Sequence, residues 1–223
     1  MNRFQENLIN AIDKIEKVRI SVDRHRIIRL VAVSKYVSHQ EIQALYECGQ
    51  RAFGENKVQD LSYKSQTLES LPLEWHFIGN LQSNKINALL KLKPFMFHSL
   101  HSLSLANELQ KRLERENLTL KTLLQINSAK ETTKNGFNPE SAYESYLQIQ
   151  ETCPNIKLCG LMSIGAHTQD TKIIQNSFEL TSKIYEKLQK NSANILSMGM
   201  SGDFELAIKC GSNCVRLGST LFK

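Results

Sequence analysis

Two cations set among apolar residues, Lys35 and Arg216, are the side chains with the most chemistry to offer. Val31-Ala32-Val33-Ser34-Lys35 reads as a buried strand that presents an amine at its C-terminal end. Most lysines are simply solvated. An amine partly desolvated there and close to another cation loses its proton more readily. The neutral form is then a nucleophile able to make an imine with an aldehyde. Arg216 lies in the apolar run Cys214 to Leu217, where a charge needs a partner. That partner is either a structural carboxylate or a ligand to which the always-protonated guanidinium donates. Around it stand two glycine-rich polar turns, Ser197-Met198-Gly199-Met200-Ser201-Gly202 and Gly218-Ser219-Thr220. Such turns leave backbone N–H groups free and let a ligand approach closely, which suits a phosphate. An amine and a phosphate cradle together suit a phosphorylated aldehyde.

These groups meet only if the chain brings its strand ends to one place, and its periodicity predicts that it does. Phe4, Leu8, Ile12, Ile15, Val18 and Val22 recur every three or four residues, the mark of an N-terminal helix. Eight strand-like runs follow: Ile27 to Val33, Ala52-Phe53, Trp75 to Ile78, Phe95 to Phe97, Thr122 to Ile126, Lys157 to Met162, Asn194 to Leu196, and Cys214 to Leu217. Amphipathic stretches near residues 39–48, 57–68, 83–91, 103–116, 139–150, 172–190 and 203–209 separate them. Alternation of this kind predicts an α/β fold, a (β/α)8 TIM barrel with an additional N-terminal helix, as one domain over residues 1–223. An open doubly wound sheet is the alternative, but no G-x-G-x-x-G follows the first strand. In a barrel the chemistry sits at the C-terminal strand ends. Those positions are polar here: Ser34-Lys35, Glu55-Asn56, Asn80, Asn127, Ser163, Ser197 to Ser201, and Arg216 to Ser219.

Other residues admit two readings each. His76 is a hydrogen-bonded core histidine or a base. Asn56 either caps the following helix or reaches a ligand. His98 and His101 read as surface residues flanking a loop. Five cysteines without a CxxC pair give no metal framework. There is no P-loop, H-E-x-x-H or G-x-S-x-G, and only Glu55 offers a carboxylate at a strand end. A net charge of +6 is spread over helices whose acids are interleaved with it, so neither nucleic acid nor a membrane is expected as a partner. The N-terminus shows no apolar leader, and a cytoplasmic location is expected.

The chain resembles the pyridoxal-phosphate homeostasis protein family, relatives of the N-terminal barrel of alanine racemase. The matching pieces are Ala32-Val33-Ser34-Lys35, Phe53-Gly54-Glu55-Asn56, Trp75-His76-Phe77-Ile78-Gly79 with Leu81-Gln82, Gly160-Leu161-Met162, Ser197-Met198-Gly199-Met200-Ser201, and Arg216-Leu217-Gly218-Ser219. The resemblance implies pyridoxal 5'-phosphate (PLP) as a Schiff base on Lys35. It also implies phosphate contacts from Ser201, Gly218 and Ser219, and a pyridine-nitrogen contact from Arg216. Candidate cofactor contacts are therefore Lys35, Asn56, Met200, Ser201, Arg216, Gly218 and Ser219. Tyr36-Val37-Ser38 and Lys57 depart from the family's usual residues at the mouth.

The expected role is a monomeric carrier that holds PLP, contributes to its intracellular homeostasis, and passes it to PLP-dependent apo-enzymes, without catalytic turnover. The alternative is an amino-acid racemase. The sequence favours the carrier on two grounds. The chain stops about where the barrel closes, so no second base is expected on the far face of a substrate. Arg216 would leave the ring nitrogen unprotonated, a poor electron sink.

Overall fold

In the computed structural model, which describes residues 2–129 and 135–223, eight parallel strands close into a barrel in the order β1 to β8. The strands are β1 (Arg29–Val33), β2 (Ala52–Glu55), β3 (Glu74–Phe77), β4 (Met96–Leu100), β5 (Leu120–Ile126), β6 (Ile156–Ser163), β7 (Ile195–Ser197) and β8 (Cys214–Leu217). Helix α1 (Arg3–Val22) precedes them. Between successive strands lie α2 (His39–Glu47), α3 (Val58–Thr67), α4 (Ile86–Lys91), α5 (Leu103–Arg115), α6 (Ala142–Thr152), α7 (Thr171–Leu188) and α8 (Phe204–Lys209). A short helix, α9 (Ser219–Phe222), follows β8.

Strand alternation sorts the side chains into two layers. One set points into the barrel, where Val31, Met96, Leu123, Met162, Ile195 and Cys214 pack together. The other faces the helices: Ala32, Phe53, Val215 and Leu217 pack against Leu8, Ala11, Ile15 and Val18 of α1 and against α2. Only the inner half of the apolar stripe of α1 is used, because Ile12 and Val22 remain exposed. Asn2 starts that helix by accepting from the N–H of Gln5.

Closure joins β1 to β8, with Val31 opposite Arg216 and Ala32 opposite Leu217. On its other edge β1 pairs with β2. Lys35, the Gly218 turn and Asn56 therefore leave three adjacent strands at the same end of the barrel. Strand β2 runs to Glu55, two residues beyond the predicted end, and β1 starts at Arg29 rather than Ile27.

Candidate functional site

The turns after β7 and β8 meet at one hydroxyl. Ser201 Oγ accepts from Gly218 N at 3.2 Å and from Thr220 N at 3.3 Å. Both donors belong to the start of α9, whose first amides have no helical partner. A phosphate oxygen makes the same demand on such amides as this hydroxyl does, so the donor set fits an anion here. Gly218 packs beside Val33, where an added Cβ would lie 3.5 Å from the Val33 carbonyl oxygen. The cradle thus stands next to the strand that carries Lys35. Ser219 is exposed at the first position of α9. Met200 shares the turn but is already engaged: its N–H donates to Asp203 Oδ1 at 2.6 Å, and its side chain lies at the rim. Gly199 adopts φ 93°, which a side chain would strain.

Arg216 is 4% exposed and points into the barrel. Its Nη1 donates to the carbonyl oxygen of Ser197 at 2.9 Å and to Ser197 Oγ at 2.6 Å, and its Nη2 donates to the carbonyl oxygen of Ser163 at 3.0 Å. Among the described residues no carboxylate forms an ion pair with it, which removes the structural salt bridge that sequence left open. Burial lowers its pKa, while Cys214 and Asp203 pull the other way. Arginine nonetheless stays charged. The guanidinium is a buried cation whose hydrogen-bond partners are all neutral oxygens.

Lys35 departs from expectation. It is exposed rather than partly desolvated, with Nζ 5.6 Å from the centroid of the Tyr36 ring. Tyr36 itself takes a left-handed φ of 71° and is 82% exposed. The peptide behind the lysine is held firmly. Lys64 Nζ of α3 donates to the carbonyl oxygen of Ser34 at 2.8 Å and to Glu55 Oε1 at 2.7 Å; Ser34 Oγ donates to the same carboxylate oxygen at 2.7 Å. Glu55 is fully buried and Lys64 nearly so. Glu55 is thus committed to a structural ion pair on the helix side of the barrel. Lys64 escaped the sequence reading, although its place on the buried stripe Leu61, Lys64, Leu68 was a signal.

Asn56 does not cap a helix, because Lys57 is the N-cap of α3 and no side chain caps it. Its Oδ1 is buried and has no partner among the described residues, an acceptor suited to a ligand donor. The backbone of Asn56 presses against Gly79, where a Cβ would fall 1.9 Å from the Asn56 carbonyl oxygen. A cavity of about 230 Å³ opens nearby at the mouth, lined by Ile78, Asn80, Ser99, Gln125, Asn127 and Ile164. A larger hollow of about 540 Å³, beside Lys91, Lys93 and Arg115, lies at the ends of α4 and α5, away from the polar strand ends.

His98 is the main correction. Far from flanking a surface loop, it is fully buried within β4. Its Nε2 lies 2.8 Å from His76 Nδ1, and its Nδ1 lies 3.4 Å from Ser197 Oγ. Burial holds His98 well below the usual histidine range, and the His76 and Arg216 charges add to that. Burial likewise takes His76 down to about 4, with Arg29 contributing. His76 is therefore a neutral core histidine near pH 7.

The site's mixture of a strand-end lysine, an anion cradle and a buried arginine has known counterparts. A family model described as the alanine racemase N-terminal domain matches residues 13–223. A pyridoxal phosphate homeostasis protein of Helicobacter pylori is 56% identical over 220 residues, covering 99% of this chain and 98% of the relative. This chain belongs to the pyridoxal phosphate homeostasis protein family. Two solved structures extend the likeness. PipY of Synechococcus elongatus, solved with PLP bound, is 30% identical at a TM-score of 0.81, covering 95% of this chain and 99% of that one. An uncharacterised protein from Bifidobacterium adolescentis is 31% identical at a TM-score of 0.93, covering 99% and 94%. In this barrel Lys35, Asn56, Ser201, Arg216, Gly218 and Ser219 stand at or near the C-terminal ends of β1, β2, β7 and β8. No helix of the described residues is long and apolar enough to cross a membrane.

Proposed function

We propose that this protein binds PLP as a Schiff base on Lys35, as a single domain over residues 1–223, and serves PLP homeostasis and carriage rather than catalytic turnover. The observation that carries the reading is the meeting of the β7 and β8 turns at Ser201, one strand away from Lys35 and above the buried Arg216. In this reading Lys35 Nζ attacks the aldehyde carbon, a C=N bond forms and one water leaves. Ser201, Ser219 and the amides of Gly218 and Thr220 hold the phosphate, and Arg216 donates to the pyridine nitrogen. Asn56 Oδ1 accepts from the ligand, and Met200 covers it from the rim. When bound, PLP would be held through its aldehyde carbon, which the amine of Lys35 keeps from reacting elsewhere.

The carrier reading is supported by the relatives' naming and by Arg216. A permanent donor at the ring nitrogen keeps that nitrogen unprotonated and restrains carbanion chemistry. PLP-dependent apo-enzymes are the proposed recipients. Borohydride reduction followed by peptide mass spectrometry tests the attachment: PLP fixed at Lys35 is expected, and a label confined to Lys57 or Lys85 overturns it. The family's tie to alanine racemase makes racemisation the second reading. Lys35-dependent turnover of an amino acid near ~1 s⁻¹, the low end for ordinary enzymes, would establish it instead.

A further inference from the structure

The interior of a parallel barrel is ordinarily filled by branched apolar side chains. Here an unbroken polar row crosses it. Arg216 Nη1 reaches Ser197 Oγ at 2.6 Å, Ser197 Oγ lies 3.4 Å from His98 Nδ1, and His98 Nε2 lies 2.8 Å from His76 Nδ1. The four side chains belong to β8, β7, β4 and β3, and all are buried. No member of the row is a carboxylate.

The direction of each bond follows from the one member whose role is not free. Arginine only donates, so Ser197 Oγ accepts from it and can donate its own proton to His98 Nδ1. His98 then carries its proton on Nε2 and donates to His76 Nδ1, which places the His76 proton on Nε2 as well. Every dipole in the row turns its negative end toward the guanidinium, which stabilises a cation buried without a counter-ion. The opposite sense would aim a His98 Nδ1–H at the same serine and send the hydroxyl proton to its other neighbour, Cys214. That sense turns the positive ends toward Arg216. The row ends at His76 Nε2, buried and without a partner among the described residues. An unmatched polar atom so deep in a core calls for a reason other than stability.

We propose that Ser197, His98 and His76 are positioning residues for Arg216, a one-way hydrogen-bond row that holds the guanidinium as a fixed donor toward the pyridine nitrogen of bound PLP. This inference rests on the reading that Arg216 meets that nitrogen. The row thereby governs the electronic character of the ring without touching it.

The test has two arms, both on the full chain. Long-range ¹H–¹⁵N spectra of histidine-labelled protein without ligand should show His76 and His98 neutral at pH 7, each protonated on Nε2. A proton on Nδ1 of either ring, or a charged ring, overturns the row. In the second arm His98→Asn keeps an acceptor near the Nδ1 position, whereas His98→Leu fills the ring's volume better but accepts nothing. His98→Leu should shift the visible band of bound PLP and release it about fivefold faster, the worth of one ordinary hydrogen bond. His98→Asn should stay close to wild type in both. If the leucine variant stays as close to wild type as the asparagine variant, or closer, the histidine supplies packing alone and the proposal falls. Borohydride labelling of the same samples separates the two readings. Wild-type protein without a label on Lys35 overturns the PLP attachment and this inference together. A labelled wild type whose leucine variant matches it in band position and release rate overturns the row alone.

Discussion

Among the described residues two cations are buried, one on each face of the barrel's strand wall, and they are compensated in opposite ways. Lys64 lies on the helix side and meets a carboxylate, Glu55, at 2.7 Å. Arg216 lies on the interior side and meets only carbonyl and hydroxyl oxygens. The first pair is electrically closed, with Lys64 and Ser34 both donating to Glu55 Oε1 and Oε2 left without a partner among the described residues. The second has no ion-pair partner among the described residues, and Asp203 only partly offsets its charge from a distance. A buried charge with its own counter-ion shapes the protein; a buried charge without one is aimed at something else.

The largest expected effect comes from breaking the closed pair. Lys64→Met leaves Glu55 as an unpaired buried charge and should destabilise the fold by about 3–5 kcal/mol, measured by urea unfolding. Adding Glu55→Gln should recover much of that loss; a double variant as unstable as the single one would mean that the ion pair is not what Lys64 supplies. The open cation should behave differently. Arg216→Gln removes a charge rather than stranding one, so its cost should stay near 1–3 kcal/mol, the scale of leaving hydrogen-bond partners unmet.

Acid should act on the interior row. The folded pKa of His76 is depressed to about 4 from an ordinary 6.5, first by burial and then by Arg29. The unfolded chain therefore binds the extra proton between those values, and stability rises with pH across that window. About 3 kcal/mol, full above pH ~6.5, should be lost as pH falls toward 4, with His98 adding loss in the same sense. His76→Asn should flatten the stability profile between pH 7 and 5, before carboxylates begin to titrate. An unchanged slope would remove His76 as its source.

Smaller effects belong to the mouth. Ser201→Ala with Ser219→Ala should weaken PLP binding at least about tenfold, near 1.4 kcal/mol, when titrated by absorbance. Equal affinity in the double variant would place the phosphate elsewhere. Smallest of all, Tyr36→Gly relieves a left-handed backbone at an exposed residue and should change stability by less than ~1 kcal/mol. A larger loss would show that the Tyr36 ring restrains Lys35.

The barrel and its N-terminal helix were legible because strand and helix periods are written locally. So were the turns at Ser201 and Gly218, where glycine stands beside hydroxyl residues. What escaped was pairing across distance. His98 sits in Phe95-Met96-Phe97-His98, and nothing near it in sequence says that its ring faces inward toward a serine on β7. Lys64 went unremarked because its carboxylate lies on another element. The cap reading of Asn56 fell only when Lys57 took the N-cap. The exposure of Lys35 was also beyond reach, since it depends on how far the β1 turn stands from its neighbours rather than on its own residues.

The bond from Lys64 to the Ser34 carbonyl oxygen ties a helix to the peptide that precedes Lys35. Helix α3 cannot peel from the barrel without pulling on that peptide. Fluctuations of the two should then be one event, and their amides should exchange with solvent as a single cooperative unit. An exposed amine at the rim would move on the clock of a helix packed against the barrel and not on that of a free loop, and the timing of cofactor capture would be set from outside the barrel wall.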